Sequence, residues 1–308
     1  MPFRLLAALI ALAIVAGCGQ RAVASGFTGG RLNVVTSFYP LEFLSKRIGG
    51  ADVTVTDLTK PGAEPHDVEL NPRQVGQVAD AGLAVYLHGF QPAVDDAVAQ
   101  EATGRAFDVA SAVTLLPLAD GTDGRPAPGA GRPETADGLD PHVWLDPVRF
   151  AAITDRLAAR LGQADPAHAA DYTARGRQVH AELDALDAEF AARLKSCPRR
   201  EIVTSHSAFN YLASRYGLTQ VGITGISPEA EPSPQRLGKV AAQARAIGTT
   251  TIFFETLVSP KVAETIAREV GARTAVLDPL EGLTGPGADY FSVMRDNLAA
   301  LSTALGCA

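Results

Sequence analysis

The amino-acid sequence predicts an α/β protein with two small lobes, each built on a parallel-type sheet flanked by helices, and one long helix that joins them. From Leu32 onward, short β-branched runs alternate with longer helical patterns, which is typical of parallel-sheet architecture. The runs fall into an early and a late set, and a helical pattern of about 30 residues separates the two sets. A lobe on either side of a connecting helix is the simplest arrangement that accounts for this order.

The N-terminus carries the pattern of an export signal. A basic residue precedes an apolar stretch over 5–15, which is too short to span a bilayer. Val-Ala-Gly-Cys at 15–18 resembles a bacterial lipobox, which implies cleavage before Cys18 and acylation of its thiol. We therefore expect a signal peptide over 1–17, a lipidated tether over 18–31, and an extracytoplasmic protein anchored to the membrane through Cys18.

Short runs rich in β-branched residues and bounded by turn residues predict the strands. The predicted strands are 32–37, 53–58, 82–87, 106–109, 201–205, 219–223, 250–254 and 273–277.

Two helices are predicted between the two sets of strands. Asp146 as N-cap and Pro147 at the first helical position begin a helix over 147–161. A second Asp-Pro step begins a longer helix by the same chemistry, and its apolar residues recur at helical spacing until Pro198 ends it. We expect this linker helix to cover 165–197.

The linker helix divides the chain into an N-terminal lobe over 32–164 and a C-terminal lobe over 198–308. Within the first lobe, residues 117–139 are rich in Gly and Pro, polar and without hydrophobic periodicity. They predict an exposed, mobile loop, since a structureless segment of this length is uncommon inside a compact domain.

Composition excludes a nucleic-acid partner and points to one disulfide. Acidic residues outnumber basic ones, 34 to 27, and no basic tract is present. With Cys18 acylated, Cys197 and Cys307 remain as an even pair in an oxidising compartment. We expect a bridge between them, with two free thiols as the alternative.

Four side chains that could bind a metal each lie just after a predicted strand or in a turn, where open α/β sheets place their ligands. They are His66, His142, His206 and Asp278. Each alone has an ordinary explanation, as a surface histidine, a packed turn, a helix cap or a turn residue. Together, three imidazoles and one carboxylate fill a tetrahedral zinc shell.

Five segments resemble the metal-binding lipoproteins of bacterial zinc and manganese ABC importers. These are EPHDVEL, DPHVWLDP, TSHSAFNYLASRYGL, GISPEAEPSP and FFETLVSPKVAETIAREVGARTAVLDPLEG, and the similarity covers nearly all of 32–308. The resemblance implies two α/β lobes joined by a rigid long helix, with the metal in the cleft between them. It places the ligands on the same four residues and implies an ABC permease as partner, with a metallochaperone as a further candidate partner of a monomeric protein.

The identity of the third ligand favours zinc. Manganese-type members of the family carry a carboxylate where this chain has His206. Three neutral imidazoles with one carboxylate suit Zn(II), whereas Mn(II) prefers more oxygen. The 117–139 loop lacks the histidine tract of many zinc-type members, so a metal-gathering role is not expected for it.

We therefore expect a solute-binding lipoprotein, not an enzyme, that captures Zn(II) and delivers it to a permease. The alternatives are a Mn(II)-binding importer component, an adhesin-like lipoprotein with a structural metal, and a secreted zinc hydrolase. A hydrolase would use Glu64 or Glu255 as general base, but no H-E-x-x-H signature is present. Asp278 discriminates between the readings, because a fourth protein ligand closes the position that a catalytic water needs.

The remaining histidines and three glutamates are further candidates for contact with the site. His88 follows a strand near the expected cleft, and whether it contacts the site is left open. His168 and His180 lie on the long helix and are expected to face solvent. One glutamate near the motifs is expected to hold a ligand imidazole by its second ring nitrogen, and the candidates are Glu64, Glu229 and Glu255.

Overall fold

A computed structural model describes residues 26–118, 138–283 and 287–308. The predicted signal peptide, Cys18 and most of the predicted 117–139 loop lie outside these residues. Within them, none of the helices combines the length and apolar character that crossing a membrane requires.

The N-terminal sheet has five strands. They are β1 (Phe27–Thr28), β2 (Arg31–Thr36), β3 (Val53–Asp57), β4 (Leu83–Tyr86) and β5 (Ala106–Asp108). The last four are parallel in the order β3-β2-β4-β5, and β1, which falls inside the predicted tether, pairs antiparallel with β2. The helices that connect the parallel strands of this sheet are α1 (Tyr39–Gly49), α2 (Pro72–Ala79) and α3 (Pro92–Glu101).

Two long helices follow the first sheet. Helix α4 spans Pro147–Ala164, and the Asp146 carboxylate caps it by accepting from the amide of Val148 at 3.0 Å. Helix α5 spans Ala169–Leu194 after a 3-10 turn, so it begins later and ends earlier than predicted. Asp165 does not cap it as predicted, because its carboxylate accepts the hydroxyl of Tyr172 at 2.7 Å.

The C-terminal sheet repeats the topology of the first. Its strands are β6 (Glu201–Thr204), β7 (Thr219–Gly222), β8 (Thr251–Phe254) and β9 (Arg273–Val276). All pair in parallel in the order β7-β6-β8-β9, the order that β2 to β5 have in the first sheet. The helices of this half are α6 (Asn210–Tyr216), α7 (Pro234–Ala246), α8 (Lys261–Val270) and α9 (Tyr290–Leu305).

The predicted fold class is confirmed. The eight predicted strands are present to within one residue at either end, and one long helix lies between the two parallel sheets. The division into lobes over 32–164 and 198–308 stays a prediction.

Helix α5 packs against both halves of the chain. Its Glu182 pairs with Arg47 of α1 at 2.8 Å, and its Glu189 pairs with Arg295 of α9 at 2.9 Å. Its apolar side chains belong to a single buried cluster that includes residues of both sheets. The helix therefore holds the two halves by a continuous core as well as by charge.

Buried aromatic residues also join the halves. The indole N–H of Trp144 donates to the carbonyl of Pro279 at 2.7 Å, and the hydroxyl of Tyr290 donates to the carbonyl of Trp144 at 2.7 Å. The ring of Tyr290 stacks on that of Phe43 with centroids 5.5 Å apart. These contacts leave little freedom for one half to rotate against the other, since close-packed interiors resist deformation.

The predicted disulfide is confirmed. Cys197, just after α5, is bonded to Cys307, just after α9, across 110 residues of sequence. The bond ties the end of the long helix to the end of the last helix.

Candidate metal centre

Four side chains from the two halves of the chain converge at one point. His66 lies in the loop after β3, His142 in the turn before α4, His206 directly after β6, and Glu281 in the loop after β9. One nitrogen or oxygen from each lies within 4.8 Å of those of the others. Two ligand candidates thus come from each half of the chain.

The three distances from the carboxylate oxygen to the imidazole nitrogens are close to the spacing of ligands in a tetrahedral zinc site. Oε1 of Glu281 lies 2.9 Å from Nε2 of His142 and 3.3 Å from Nε2 of both His66 and His206. Ligands about 2.0–2.1 Å from a tetrahedral zinc stand about 3.3–3.4 Å apart. All three imidazoles therefore present the same nitrogen to one point beside the carboxylate.

The cluster is removed from solvent. His142, His206 and Glu281 have 0% exposure, and the His66 side chain retains 8%. Burying a carboxylate is costly unless an opposite charge or a metal compensates it. A cation among these four groups supplies that compensation.

Two carboxylates orient the buried imidazoles from behind. Asp140 Oδ1 lies 2.8 Å from Nδ1 of His142, and Glu255 Oε1 lies 2.7 Å from Nδ1 of His206. Each carboxylate accepts the Nδ1 proton, so Nε2 is the ring atom left to bind a metal once it has lost its own proton. Of the three candidate glutamates, Glu255 therefore contacts the second ring nitrogen of a candidate ligand imidazole.

His66 is held by its loop. Its backbone amide donates to Oε1 of Glu64 at 2.9 Å, and its ring meets the edge of Phe90 with centroids 4.6 Å apart. The side-chain amide of Gln91 donates to the carbonyl of Pro65 at 3.0 Å. Among the residues that the structure describes, no carboxylate contacts Nδ1 of this ring, so His66 is the least constrained of the three imidazoles.

The charges of the cluster shift its titration. Burial alone would lower the pKa of His206, but the carboxylates of Glu255 and Glu281 outweigh it and raise that pKa well above its usual value. Burial would raise the pKa of Glu281, but His206 and the other imidazoles hold it well below its usual value. Without metal, these shifts favour a protonated His206 beside an ionised Glu281.

Glu64 lies at the edge of this cluster and behaves differently. Burial, together with the charge of Glu281, raises the pKa of Glu64 to about 8. Its Oε1 lies 3.9 Å from Nε2 of His66. In the metal-free protein this carboxyl is therefore largely protonated at neutral pH.

The structure brings together three of the four predicted ligands and not the fourth. Asp278 Oδ1 accepts from the amide of Leu280 at 2.8 Å, and its Oδ2 accepts from the hydroxyl of Thr256 at 3.1 Å. Leu280 has a φ of 61°, the only positive φ outside glycine in the described residues. The turn at Leu280 aims the next residue, Glu281, into the cluster. The Asp-Pro-Leu-Glu segment contains both acids, and nothing in its composition distinguishes them.

The other histidines lie outside the cluster. Nδ1 of His88 lies 3.4 Å from Asp95, with about half of the histidine side chain exposed. His168 pairs with Asp165 at 2.7 Å and His180 with Asp155 at 3.0 Å. Both side chains are 36% exposed and paired with an aspartate, so they face solvent only in part, less than expected.

Comparison with known sequences gives a family match and well-covered relatives. Residues 34–304 match the family described as zinc-uptake complex component A, periplasmic (ZnuA). The chain is 33% identical to the high-affinity zinc uptake system protein ZnuA of Bacillus subtilis over 95% of its length and 94% of the relative's. It is 34% identical to the zinc-binding lipoprotein AdcA of Streptococcus pneumoniae over 96% of its own length. It spans 56% of the length of the zinc-binding protein AdcA of Streptococcus pyogenes, to which it is 35% identical.

Solved structures show the same fold. The Zn(II)-bound ZnuA-like domain of Streptococcus pneumoniae AdcA is 32% identical, with a TM-score of 0.75 over 90% of this chain and 99% of that one. The laminin-binding protein Lmb of Streptococcus agalactiae, described as a bifunctional protein with adhesin and metal-transporting activity, is 33% identical, with a TM-score of 0.78 over 89% of this chain and 99% of that one. The fold, the convergent histidines and the family match agree, and the chain belongs to the periplasmic ZnuA family of zinc-uptake components.

Proposed function

We propose that this protein captures Zn(II) outside the cytoplasm and delivers it to an ABC import permease. The observation that carries the proposal is the convergence of three Nε2 atoms on Oε1 of Glu281, at 2.9 to 3.3 Å. We assign His66, His142, His206 and Glu281 as the ligands, with Glu281 in place of the expected Asp278. Relatives named for zinc binding and zinc uptake support the same cargo.

The donor set supports zinc over manganese. Three neutral imidazoles and one carboxylate match the borderline character of Zn(II), while Mn(II) favours a shell richer in oxygen. The orienting contacts of Asp140 and Glu255 strengthen the case, because they fix the imidazoles in the tautomer that binds metal through Nε2.

The closed shell supports transport and not catalysis. With four protein ligands, no position is left at which a water could be activated. The Glu255 carboxylate accepts from His206 and from the hydroxyl of Ser205 at 2.8 Å, so it is already engaged as an orienting group. Members of the family are components of a zinc-uptake complex. We propose in addition that this chain has no enzymatic role.

Zinc release requires a local movement. The two halves share a continuous core and the contacts of Trp144 and Tyr290, which oppose a large hinge motion. The His66 loop is the part of the cluster that retains exposure and lacks a backing carboxylate. We assign release to movement of this loop when the protein docks on its permease.

The location and the remaining partners belong to the proposal. The lipobox-like segment supports anchoring through Cys18, and a relative named as a lipoprotein is consistent with it. A monomer is expected to present the cluster to the permease, and delivery by a metallochaperone stays a prediction.

Anaerobic purification followed by elemental analysis and competitive Zn/Mn titration tests this function. We expect one zinc per chain and a strong preference for zinc over manganese in competition. A chain that takes up no stoichiometric zinc, or that prefers manganese, would contradict the proposed cargo. The variant lacking all three cluster histidines is the control, because it removes the nitrogen donors, and its circular dichroism spectrum is measured to check that it folds.

A further inference from the structure

A short ladder of backbone hydrogen bonds holds residues 116–118 against residues 138–140, which we call the stem. The amide of Asp140 donates to the carbonyl of Leu116 at 2.8 Å, and the amide of Leu118 donates to the carbonyl of Gly138 at 3.1 Å. In an antiparallel pair of this kind, Leu116 and Asp140 would exchange two direct hydrogen bonds. Here only one of the two is direct.

The hydroxyl of Tyr211 completes the second bond. The amide of Leu116 donates to this hydroxyl at 2.8 Å, and the hydroxyl donates to the carbonyl of Asp140 at 2.7 Å. The neighbouring Asn210 side chain donates to the carbonyl of Pro117 at 3.3 Å. The first turn of α6 is therefore built into the stem.

The position of the Tyr211 ring is well determined. The side chain has 0% exposure, and the guanidinium of Arg149 lies 5.2 Å from the ring centroid. The hydroxyl has both a donor and an acceptor partner, so its orientation is fixed by the two bonds. A side chain placed in this way can hold backbone segments in register.

The two residues that this hydrogen bond joins, Asp140 and Tyr211, each lie close in sequence to a candidate ligand. Asp140 holds His142 twice, because its Oδ1 accepts from the backbone amide at 3.0 Å and contacts the ring Nδ1 at 2.8 Å. Tyr211 itself follows His206 by five residues, in the helix that continues that ligand segment. The hydroxyl thus connects a ligand segment of the N-terminal half with one of the C-terminal half.

We propose that Tyr211 is a positioning residue that couples the stem to the metal centre by fixing the backbone of Asp140, and through it the imidazole of His142. The inference rests on the proposed zinc-binding function, and adds to it a residue that touches no ligand atom. It makes the geometry of the stem a determinant of how long zinc stays bound.

The test compares Tyr211→Phe with Tyr172→Phe. The first variant keeps the ring and its contact with Arg149 but leaves the Leu116 amide and the Asp140 carbonyl without their shared partner. The second removes an equally buried hydroxyl, which donates to Asp165 at 2.7 Å near the start of α5. Zinc dissociation into excess chelator is measured for both, together with the visible spectrum of the Co(II)-loaded proteins.

We expect Tyr211→Phe to release zinc at least about fivefold faster, as outer contacts of metal ligands commonly change affinity by 10–100-fold. Its Co(II) spectrum should shift, while Tyr172→Phe should match the wild type in both measurements. In an Asp140→Asn background the Tyr211→Phe effect should shrink, because the two residues act through one path. Hydrogen exchange at the His142 amide of the metal-free protein should quicken in Tyr211→Phe alone.

Three outcomes would overturn the proposal. These are an unchanged release rate and Co(II) spectrum in Tyr211→Phe, an equal change in Tyr172→Phe, or full additivity with Asp140→Asn. A wild-type chain without stoichiometric zinc would instead refute the proposed function itself. The exchange measurement separates the two failures, because it requires no metal.

Discussion

At the scale of single residues, one carboxylate oxygen faces three imidazole nitrogens, and its charge is the part of the centre most easily removed. Glu281→Gln keeps the size of the side chain but replaces the anionic ligand oxygen by a neutral amide. We expect zinc affinity to fall by more than about 100-fold, beyond the range that outer contacts give. Competitive titration with a chromophoric chelator measures the change.

Asp278→Asn is the matched control for that substitution. Asp278 lies in the same loop but holds the amide of Leu280 and the hydroxyl of Thr256, contacts that asparagine can partly keep. Zinc affinity should therefore change by less than about threefold. A large loss in Asp278→Asn with little loss in Glu281→Gln would show that the assignment of the fourth ligand is reversed.

The choice between these two acids marks the limit of prediction from sequence at this scale. The three histidines could be predicted because each occupies a turn after a strand or before a capped helix. The acid could not, because its direction depends on the left-handed φ of Leu280, a conformation that leucine rarely adopts. Only the packed structure, in which the Leu280 side chain has 0% exposure, reveals that turn.

Zinc binding should release protons. The pKa of His206 is raised by its carboxylate neighbours despite burial, so this imidazole is charged at neutral pH without metal. A ligand imidazole must be neutral, and zinc therefore displaces its proton. We expect proton release near pH 7 and an affinity that falls as the pH is lowered. Calorimetry in buffers of different ionisation enthalpy measures the number of protons, and a value of zero would contradict this charge state.

At the scale of elements, the strands were predictable and the details of the long helix less so. Parallel strands leave short β-branched runs, which is why the eight parallel strands are predictable, whereas the two-residue antiparallel β1 has no such run. The start of α5 was misplaced because Asp165 binds the hydroxyl of Tyr172 instead of the helix amides. The sequence does not show whether the Asp165 carboxylate binds the helix amides or the hydroxyl of Tyr172.

Helix α5 is fastened to α6 by a pair of charges that gives a pH-dependent contribution to stability. The Asp187 carboxylate accepts from Arg215 at 2.9 Å and from the hydroxyl of Tyr216 at 3.0 Å. The hydrogen bond from Arg215, with that from Tyr216, lowers the pKa of Asp187. Stability from this carboxylate is present above its unfolded pKa of about 3.9 and is lost as the pH falls through the lowered folded value.

Asp187→Asn should therefore reduce the stability of the metal-free protein by about 0.5–1 kcal/mol at pH 7, since both partners are partly exposed. The deficit should shrink below about pH 4, where the wild-type carboxylate becomes protonated in the unfolded chain. Urea unfolding at several pH values measures it. Asp184→Asn on the same helix, where the aspartate is 62% exposed, is the control and should change little. A deficit that is independent of pH would show that the charge is not responsible.

At the scale of the whole molecule, two sheets that share a strand order, a single long helix and a disulfide produce a rigid frame with the candidate metal centre between its halves. The two-part architecture is predictable because strands and helix lengths follow from short-range patterns in the sequence. The aromatic contacts of Trp144 and Tyr290 that join the halves were not, because they connect residues far apart in the chain.

The disulfide should contribute to stability but not to zinc affinity. Replacing Cys197 and Cys307 together by Ser frees a loop of 110 residues, which costs up to about 4–5 kcal/mol in the chain-entropy estimate. We expect a lower melting temperature and zinc affinity within about threefold of the wild type, since the bond touches none of the cluster residues. A variant that keeps its melting temperature but loses zinc would contradict this separation of frame and site.

We propose that one zinc ion is bound by three imidazole nitrogens and one carboxylate oxygen supplied by both halves of the chain. Zinc K-edge X-ray absorption on the protein loaded with one equivalent measures this shell. We expect four nitrogen or oxygen neighbours at about 2.0–2.1 Å, with the outer-shell scattering of three imidazoles. A sulfur neighbour, a six-coordinate shell, or scattering from fewer than three imidazoles would contradict it.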